Sequence, residues 1–465
     1  NPKDNLTYVY DAAGSAYTLN YAFQSITALS DGGSLASSVG NGCEYYDNYI
    51  YFAKNTDIAR YGPLNGTPAF NGTYWTGTLS KTALVNTTYP LDSYFTTLNL
   101  PNHFLHRHSD GRLYIADVVG NQGSISFIQT TKTTVEGDTD NGSTYNKLTV
   151  GYGLWPTVME SYGSDLAIAF SELTQSSSQN VRGVRAKIAF WDTTSQNVNK
   201  ITWVEFPDPL ITAMKNLNGV LYVVSSNVGS NGTAFGGFRL SRFVGGYTFE
   251  EVSFFETGSA PLPGAIDGVG EQLIFGTQVG VPATVGSVLS LGLHKAKLGK
   301  GIFNILNPAV TSTKVSALLF ADDNRQGGFV SLAPVIGRAV AAGTSSAIDI
   351  QNNSAYSVSP QTFWSQMYRI GQPFKITKLR IPLAQAVAAS MTLIPKIYVD
   401  DSAAAANTYT LTTINNTNYP DAKNIVYRLE NVTGNHNFWI ELRWTGSVLC
   451  VVGLPITIEY ELLDD

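Results

Sequence analysis

Three of the chain's five histidines fall within one hexapeptide, His103-Phe104-Leu105-His106-Arg107-His108. On a strand, side chains alternate between faces, so His106 and His108 share a face while His103 points the other way. With Asp110 or Asp117 nearby, two imidazoles on one edge are the beginning of a metal site. The simpler reading is preferred: a strand entering a turn at Asp110-Gly111, its imidazoles hydrogen-bonded locally. Asp138-Thr139-Asp140-Asn141-Gly142, within Glu136–Ser143, has the texture of a calcium loop. Its glycine comes one position early, however, and Thr149 stands where the bidentate glutamate belongs. A solvated loop is expected there.

Acid–base chemistry would need ionisable groups on strands that converge. Glu160, Lys215 and Asp267 qualify together with His106 and His108, one or two groups per repeat and of mixed sign. A hydrolase working at a channel mouth would use Glu160 or Asp267. No spacing along the chain identifies a matched carboxylate pair. A G-x-S-x-G elbow, a phosphate loop and an H-E-x-x-H helix are all missing. Of the Ser-x-Asp-x-Gly-x-x-Trp box of sialidase propellers only Ser109-Asp110-Gly111 remains. Tyr45-Tyr46 and Tyr74-Trp75, in turn-rich stretches, could stack on sugar rings, although packing between sheets is the commoner fate of such aromatics. Cys43 and Cys450 make neither a disulfide framework nor a zinc site. They are expected to be buried free thiols, with pairing open if the ends of the chain meet.

The elements that must position these groups are strands. Only 14% of the 465 residues are charged, while 43% are hydrophobic and Gly (43), Tyr (25) and Phe (22) are abundant. Uncharged polar surface with many aromatics and turn formers suits an all-β chain. A turn followed by a short apolar strand recurs, with Ile50, Leu113, Leu166, Leu221, Leu273 and Val340 as the equivalent first apolar positions. Their mean spacing is about 58 residues, near the period of propeller blades. A further strand follows each copy: Ile58–Tyr61, Ser124–Ile128, Lys187–Asp192, Phe238–Phe243, Val288–Leu291 and Ala347–Ile350. Others precede, such as Trp155–Glu160 and Leu210–Met214. One such sheet cannot bury both faces alone, so the units must stack radially. The chain is therefore expected to form a six- or seven-bladed β-propeller over residues 1–360, with Leu6–Phe23 forming a seventh unit or completing the last blade. Leu113, Leu166, Leu221 and Leu273 should all be buried between sheets.

After about Pro360 the repeat stops, and the polar stretch Gln351–Gln361 fits a linker. Phe374–Ile381, Leu393–Val399, Ile425–Leu429, Phe438–Trp444 and Ile456–Leu462 read as antiparallel strands of a β-sandwich or jelly roll over 361–465. Phe438, Ile440, Leu442 and Trp444 alternate with Trp439, Glu441 and Arg443, and the second set is expected to face water. Ile456, Ile458, Tyr460 and Leu462 likewise oppose Thr457, Glu459 and Glu461. An indole on a charged face suggests an interface anchor, so Trp439 is the interface candidate. Docking of Trp439 on its own propeller is the competing reading.

Several classes are disfavoured. A net charge of −6 argues against a protein that coats nucleic acid, and no apolar run approaches the ~18 residues of a membrane helix. Nine Asn-x-Ser/Thr sequons are no more than this composition produces by chance. Because the chain starts at Asn1 rather than Met, a leader or arm ahead of it is an open expectation.

The stretch Phe363-Trp364-Ser365-Gln366-Met367-Tyr368-Arg369-Ile370-Gly371-Gln372-Pro373-Phe374-Lys375-Ile376, with Pro395–Asp401 after it, resembles virion structural proteins of tailed bacteriophages. Such tail, nozzle or fibre-type proteins combine a propeller with a terminal β-sandwich in low-charge chains. The resemblance implies a non-enzymatic structural component of a virion, an extracellular particle. Its partners would be other virion proteins, further copies of itself and a host-surface glycan. It carries across no catalytic, cofactor-binding or metal-binding residue, and none is expected. A secreted carbohydrate-binding propeller or adhesin is the alternative, followed by a propeller glycoside hydrolase.

Overall fold

A computed structural model describes residues 6–10, 16–20, 26–28 and, between 43 and 463, all but 54–57, 76–103, 120–121, 130–147, 178–179, 196–197, 229–234, 256–260, 262–263, 271, 277–287, 293–300, 307–312, 324–330, 341–345, 351–360, 366, 401–404, 447–451 and 453–454. The described chain is all-β, with two single-turn 3-10 segments and no α-helix. No helix among the described residues is long and apolar enough to cross a membrane.

The first sheet joins β1 (Leu6–Tyr10), β2 (Ala16–Asn20) and β3 (Ile26–Ala28). Four-stranded antiparallel meanders follow. The first holds β4 (Cys43–Tyr46), β5 (Tyr49–Ala53), β6 (Ile58–Gly62) and β7 (Ala69–Trp75). The second holds β8 (Phe104–Arg107), β9 (Arg112–Val119), β10 (Gln122–Gln129) and β11 (Leu148–Tyr152). The third holds β12 (Leu154–Tyr162), β13 (Asp165–Ser177), β14 (Asn180–Trp191) and β15 (Thr202–Phe206). The fourth holds β16 (Leu210–Leu217), β17 (Val220–Val228), β18 (Phe235–Gly245) and β19 (Thr248–Phe255). β20 (Ile266–Val269), β21 (Gln272–Gly276), β22 (Val288–Gly292) and β23 (Gly301–Leu306) continue the series, and β24 (Thr313–Asp323), β25 (Ser331–Val340) and β26 (Ser346–Ile350) form a three-stranded sheet. This is a β-propeller.

The repeated turn explains the repeated strand. Asp47 and Asn48 (φ 45° and 66°) and Asn218 and Gly219 (φ 53° and 81°) take left-handed conformations. Two such residues in succession make the hairpin turn whose twist matches the flanking strands, and Asn, Asp and Gly tolerate it best. The strand after each turn is buried on both faces. Leu166, Ile168 and Phe170 pack against the preceding sheet, while Ala167 and Ala169 face the next. Leu113, Leu166, Leu221 and Leu273 are each 0% exposed, and each faces the sheet before its own. The sixth copy differs from the expectation. β25 begins at Ser331, so Gly337 lies inside a strand rather than at a turn, and Val340 is that strand's last residue.

The C-terminal part is a two-layer sandwich. One layer is β33 (Asn424–Gly434), β29 (Phe374–Pro382) and β35 (Thr457–Leu462). The other orders β27 (Gln361–Trp364), β34 (Asn437–Gly446), β30 (Met391–Val399) and β31 (Thr408–Thr410), with β28 (Tyr368–Arg369) on β34 and β32 (Ile414–Asn415) on β30. Phe374, Ile376, Leu379 and Ile381 meet Ile397, Val399, Phe438, Ile440 and Leu442 between the layers. β27 also pairs with β23, so a single sheet runs from the propeller into the sandwich.

That continuity corrects the expectation for β34. Its second face does not meet water. Trp439 is 7% exposed, stacked on Tyr398 with ring centroids 5.0 Å apart, and packed with Phe255, Leu289 and Trp364. The indole is held within its own chain and is not an anchor for another. Glu441 is buried beside Lys396 and hydrogen-bonded by the Tyr398 hydroxyl. The apolar set around β35 is covered only at one end: Ile456 and Ile458 pack against the sandwich core, while Tyr460 and Leu462 are exposed.

Candidate functional site

The first strands of successive sheets lie side by side, β4 by β8, β8 by β12, β12 by β16 and β16 by β20. Three residues before the turn that ends each of these strands stand Glu44, His106, Glu160, Lys215 and Asp267. Equivalent positions on neighbouring innermost strands converge on the propeller axis, and the electrostatics show it. Glu44 on β4 feels Lys215 on β16, two sheets beyond its neighbour β8, and Glu160 feels both Glu44 and Asp267.

Within the ring, Lys215 Nζ lies 2.9 Å from Asp267 Oδ1, and the Phe320 backbone N–H donates to Asp267 Oδ2 at 2.8 Å. Burial works against the Lys215 ammonium, but Asp267, Glu160 and Glu44 together hold its pKa above that of an ordinary lysine. Burial pushes the Glu44 carboxyl up to about 7, countered in part by the Tyr45 N–H, Lys215 and Arg107. Burial likewise raises Glu160 to about 7 against the pull of Lys215, with Glu44 and Asp267 adding to the rise. Two carboxyl groups therefore titrate near neutrality in one enclosed space, the condition under which one donates a proton while another accepts it.

His106 is lowered to about 3, first by burial and then by its neighbours His108 and Lys215, so its imidazole is neutral. Its Nε2 lies 2.8 Å from Ser161 Oγ, and His108 Nδ1 lies 2.9 Å from the same oxygen. The two imidazoles meet a serine of the next sheet, so their hydrogen bonds reach across sheets rather than staying local to the turn as expected. Among the described residues no group of three or more His, Cys, Asp or Glu is arranged to hold a metal ion. His103, the calcium-like loop and Cys450 lie outside the described residues. Cys43 is exposed rather than buried as expected, opening onto water. It is nonetheless closely surrounded by protein, which together with Glu44 raises its thiol pKa. Tyr46 is core: it is 3% exposed, and its hydroxyl donates to the Gly111 carbonyl at 2.8 Å. Glu44 is the member of the ring that the reading of the sequence missed. Its signal was available in the shared offset before the turn.

No family model and no curated protein matches the chain. Solved structures do. The chain is similar to an exo-β-1,3-galactanase from Phanerochaete chrysosporium solved with galactose, at 8% identity over 89% of this chain and 94% of that one, with a TM-score of 0.32. It is also similar to a quinonprotein alcohol dehydrogenase-like protein from Bacteroides thetaiotaomicron, at 11% identity over 76% of this chain and 74% of that one, with a TM-score of 0.43. The dihydro-heme d1 dehydrogenase NirN is a third, at 9% identity over 75% and 73%, with a TM-score of 0.35. Likeness at this level concerns the fold alone. It nevertheless corrects the expectation that the chain is not an enzyme, because similar solved structures include enzymes and the architecture gives no ground for setting catalysis aside.

Proposed function

We propose that this chain is a propeller protein whose central channel holds an acid–base site for a neutral, hydroxyl-rich ligand of the polysaccharide class. One observation carries the reading: Glu44 and Glu160, far apart in the chain, occupy equivalent positions on innermost strands of the propeller, and burial raises both carboxyls to about 7. A protonated carboxyl donates a hydrogen bond or a proton to a glycosidic oxygen, and an ionised one accepts from a hydroxyl or an attacking water. The Lys215–Asp267 pair supplies fixed donors and acceptors beside them. The test is to incubate the protein with a panel of bacterial surface polysaccharides, measuring binding by calorimetry and new reducing ends chemically. Binding or cleavage that is lost in Glu160→Gln and Glu44→Gln supports the site. A panel with no ligand, or a ligand bound equally by both variants, overturns it.

A second reading concerns where the protein works. The low charge, the propeller joined to a sandwich and the texture of Phe363–Ile376 support a tail-associated component of a bacteriophage virion. Its neighbours there would be other virion proteins and copies of itself, with a host-surface glycan as the ligand. Mass spectrometry of purified particles checks this: the chain should be present in stoichiometric, symmetric copies. Its absence from particles would refute the assignment.

A further inference from the structure

Ser161 follows Glu160 on β12 and points to the opposite face, toward His106 and His108 of the preceding sheet rather than toward Glu44 and Glu160. Its surroundings are unusually well defined. His108 Nε2 lies 3.1 Å from the Ser164 carbonyl oxygen. A carbonyl only accepts, so Nε2 carries the proton, and in a neutral ring Nδ1 is then the acceptor. The Ser161 hydroxyl therefore donates to His108 Nδ1 at 2.9 Å, while its oxygen accepts from His106 Nε2–H at 2.8 Å. Nucleophile, base and a third group that orients the base stand in sequence, the third being a backbone carbonyl.

Packing holds this arrangement in place. His108 is 2% exposed, and its ring sits edge-on to Tyr114 at 5.9 Å between centroids. Asn216 Nδ2 donates to the Ser161 carbonyl at 2.8 Å, pinning the backbone from the next sheet. Ser161 itself is only half-buried and can be reached.

We propose that Ser161 is an activated nucleophile with His108 as its general base, forming an acyl-transfer site for ester substrates. Ser161 Oγ attacks the ester carbonyl carbon, and its proton passes to His108 Nδ1. The new O–C bond forms as the carbonyl electron pair moves onto oxygen. Collapse of that intermediate expels the alcohol, which takes the proton back from His108 and leaves an acyl-Ser161. Water then repeats the sequence and releases the acid. His106 Nε2–H, 2.8 Å from Ser161 Oγ, fixes the direction in which the nucleophile's lone pair and proton point. Neither Glu44 nor Glu160 takes part in this step, so the variants that test the two readings are different residues.

A fluorophosphonate reagent tests it without knowledge of the ester. The Ser161 Oγ–P bond forms, the P–F bond breaks, fluoride leaves and the proton goes to His108. Intact-mass and peptide mapping should find one adduct, at Ser161, that is absent from Ser161→Ala and from the denatured chain. His108→Gln should slow labelling by roughly 100-fold or more, the scale of general-base assistance. A folded wild-type protein left unlabelled at Ser161 overturns the proposal. So does labelling that survives denaturation, or a folded His108→Gln variant labelled at the wild-type rate. If His108→Gln does not fold, the wild-type and Ser161→Ala results decide alone.

Discussion

A glutamate that titrates near 7 in the folded chain and near 4.5 when unconstrained makes stability depend on pH. Between those values the folded state keeps a proton that the unfolded state has released. The contribution of Glu44 and Glu160 is therefore fully present below the unfolded value and is lost as pH rises through the folded one. His106 acts with the opposite sign, because its pKa falls from 6.5 to about 3 on folding. Its contribution is present above the unfolded value and lost as pH falls toward the folded one. Glu160→Gln keeps the shape and removes one titration. Relative to the wild type, the melting temperature of this variant should rise between about pH 5 and pH 8. Parallel melting curves across that range would show that Glu160 titrates alike in both states. Glu160, Lys215, Asp267 and His106 were legible because each precedes a repeated turn. Their meeting across the axis was not, because separation along the chain says nothing about which innermost strands face one another.

At the scale of the element, burial on two faces is what the repeat encodes. Leu221 and Val223 pack toward the third meander, while Tyr222 and Val224 pack toward the sheet that follows. A strand between two neighbours reads as a continuous apolar run, and that made β5, β9, β13, β17 and β21 recognisable. β34 shows where alternation misleads. Two alternating sets reveal two environments, but not that the second is water. Trp439, Glu441 and Arg443 lie on the face toward the propeller, and Glu441 has Lys396 and the Tyr398 hydroxyl beside it. Leu221→Ala should cost about 2–5 kcal/mol and Trp439→Ala about 3–5 kcal/mol, as for other large buried side chains. Chemical denaturation measures both. A Trp439→Ala variant that unfolds at the wild-type denaturant concentration would mean that the indole is not part of the shared core.

Across the whole molecule, the question is whether residues 1–360 and 361–465 behave as two bodies. The change of sequence texture puts a boundary near residue 360, and β27 begins there and bonds to strands on both sides. Trp364 and Trp439 complete a core whose other members include Phe238, Phe255, Phe275 and Leu289 of the propeller. Arg369 of β28 adds an ion pair 3.2 Å from Glu251 of β19. The linker expected at 351–361 lies outside the described residues apart from Gln361, but a boundary crossed by paired strands and a common apolar cluster couples the stability of the two parts. Calorimetry of the full chain should therefore give one unfolding transition, and Trp439→Ala should lower it as a whole. The chain cut after residue 360 should bind a hydrophobic dye that the full chain does not, because removing Trp364 and Trp439 uncovers the aromatic cluster they close. Two resolved transitions, only one of them moved by Trp439→Ala, would show instead that the strand pairing at β27 joins two independently folding units.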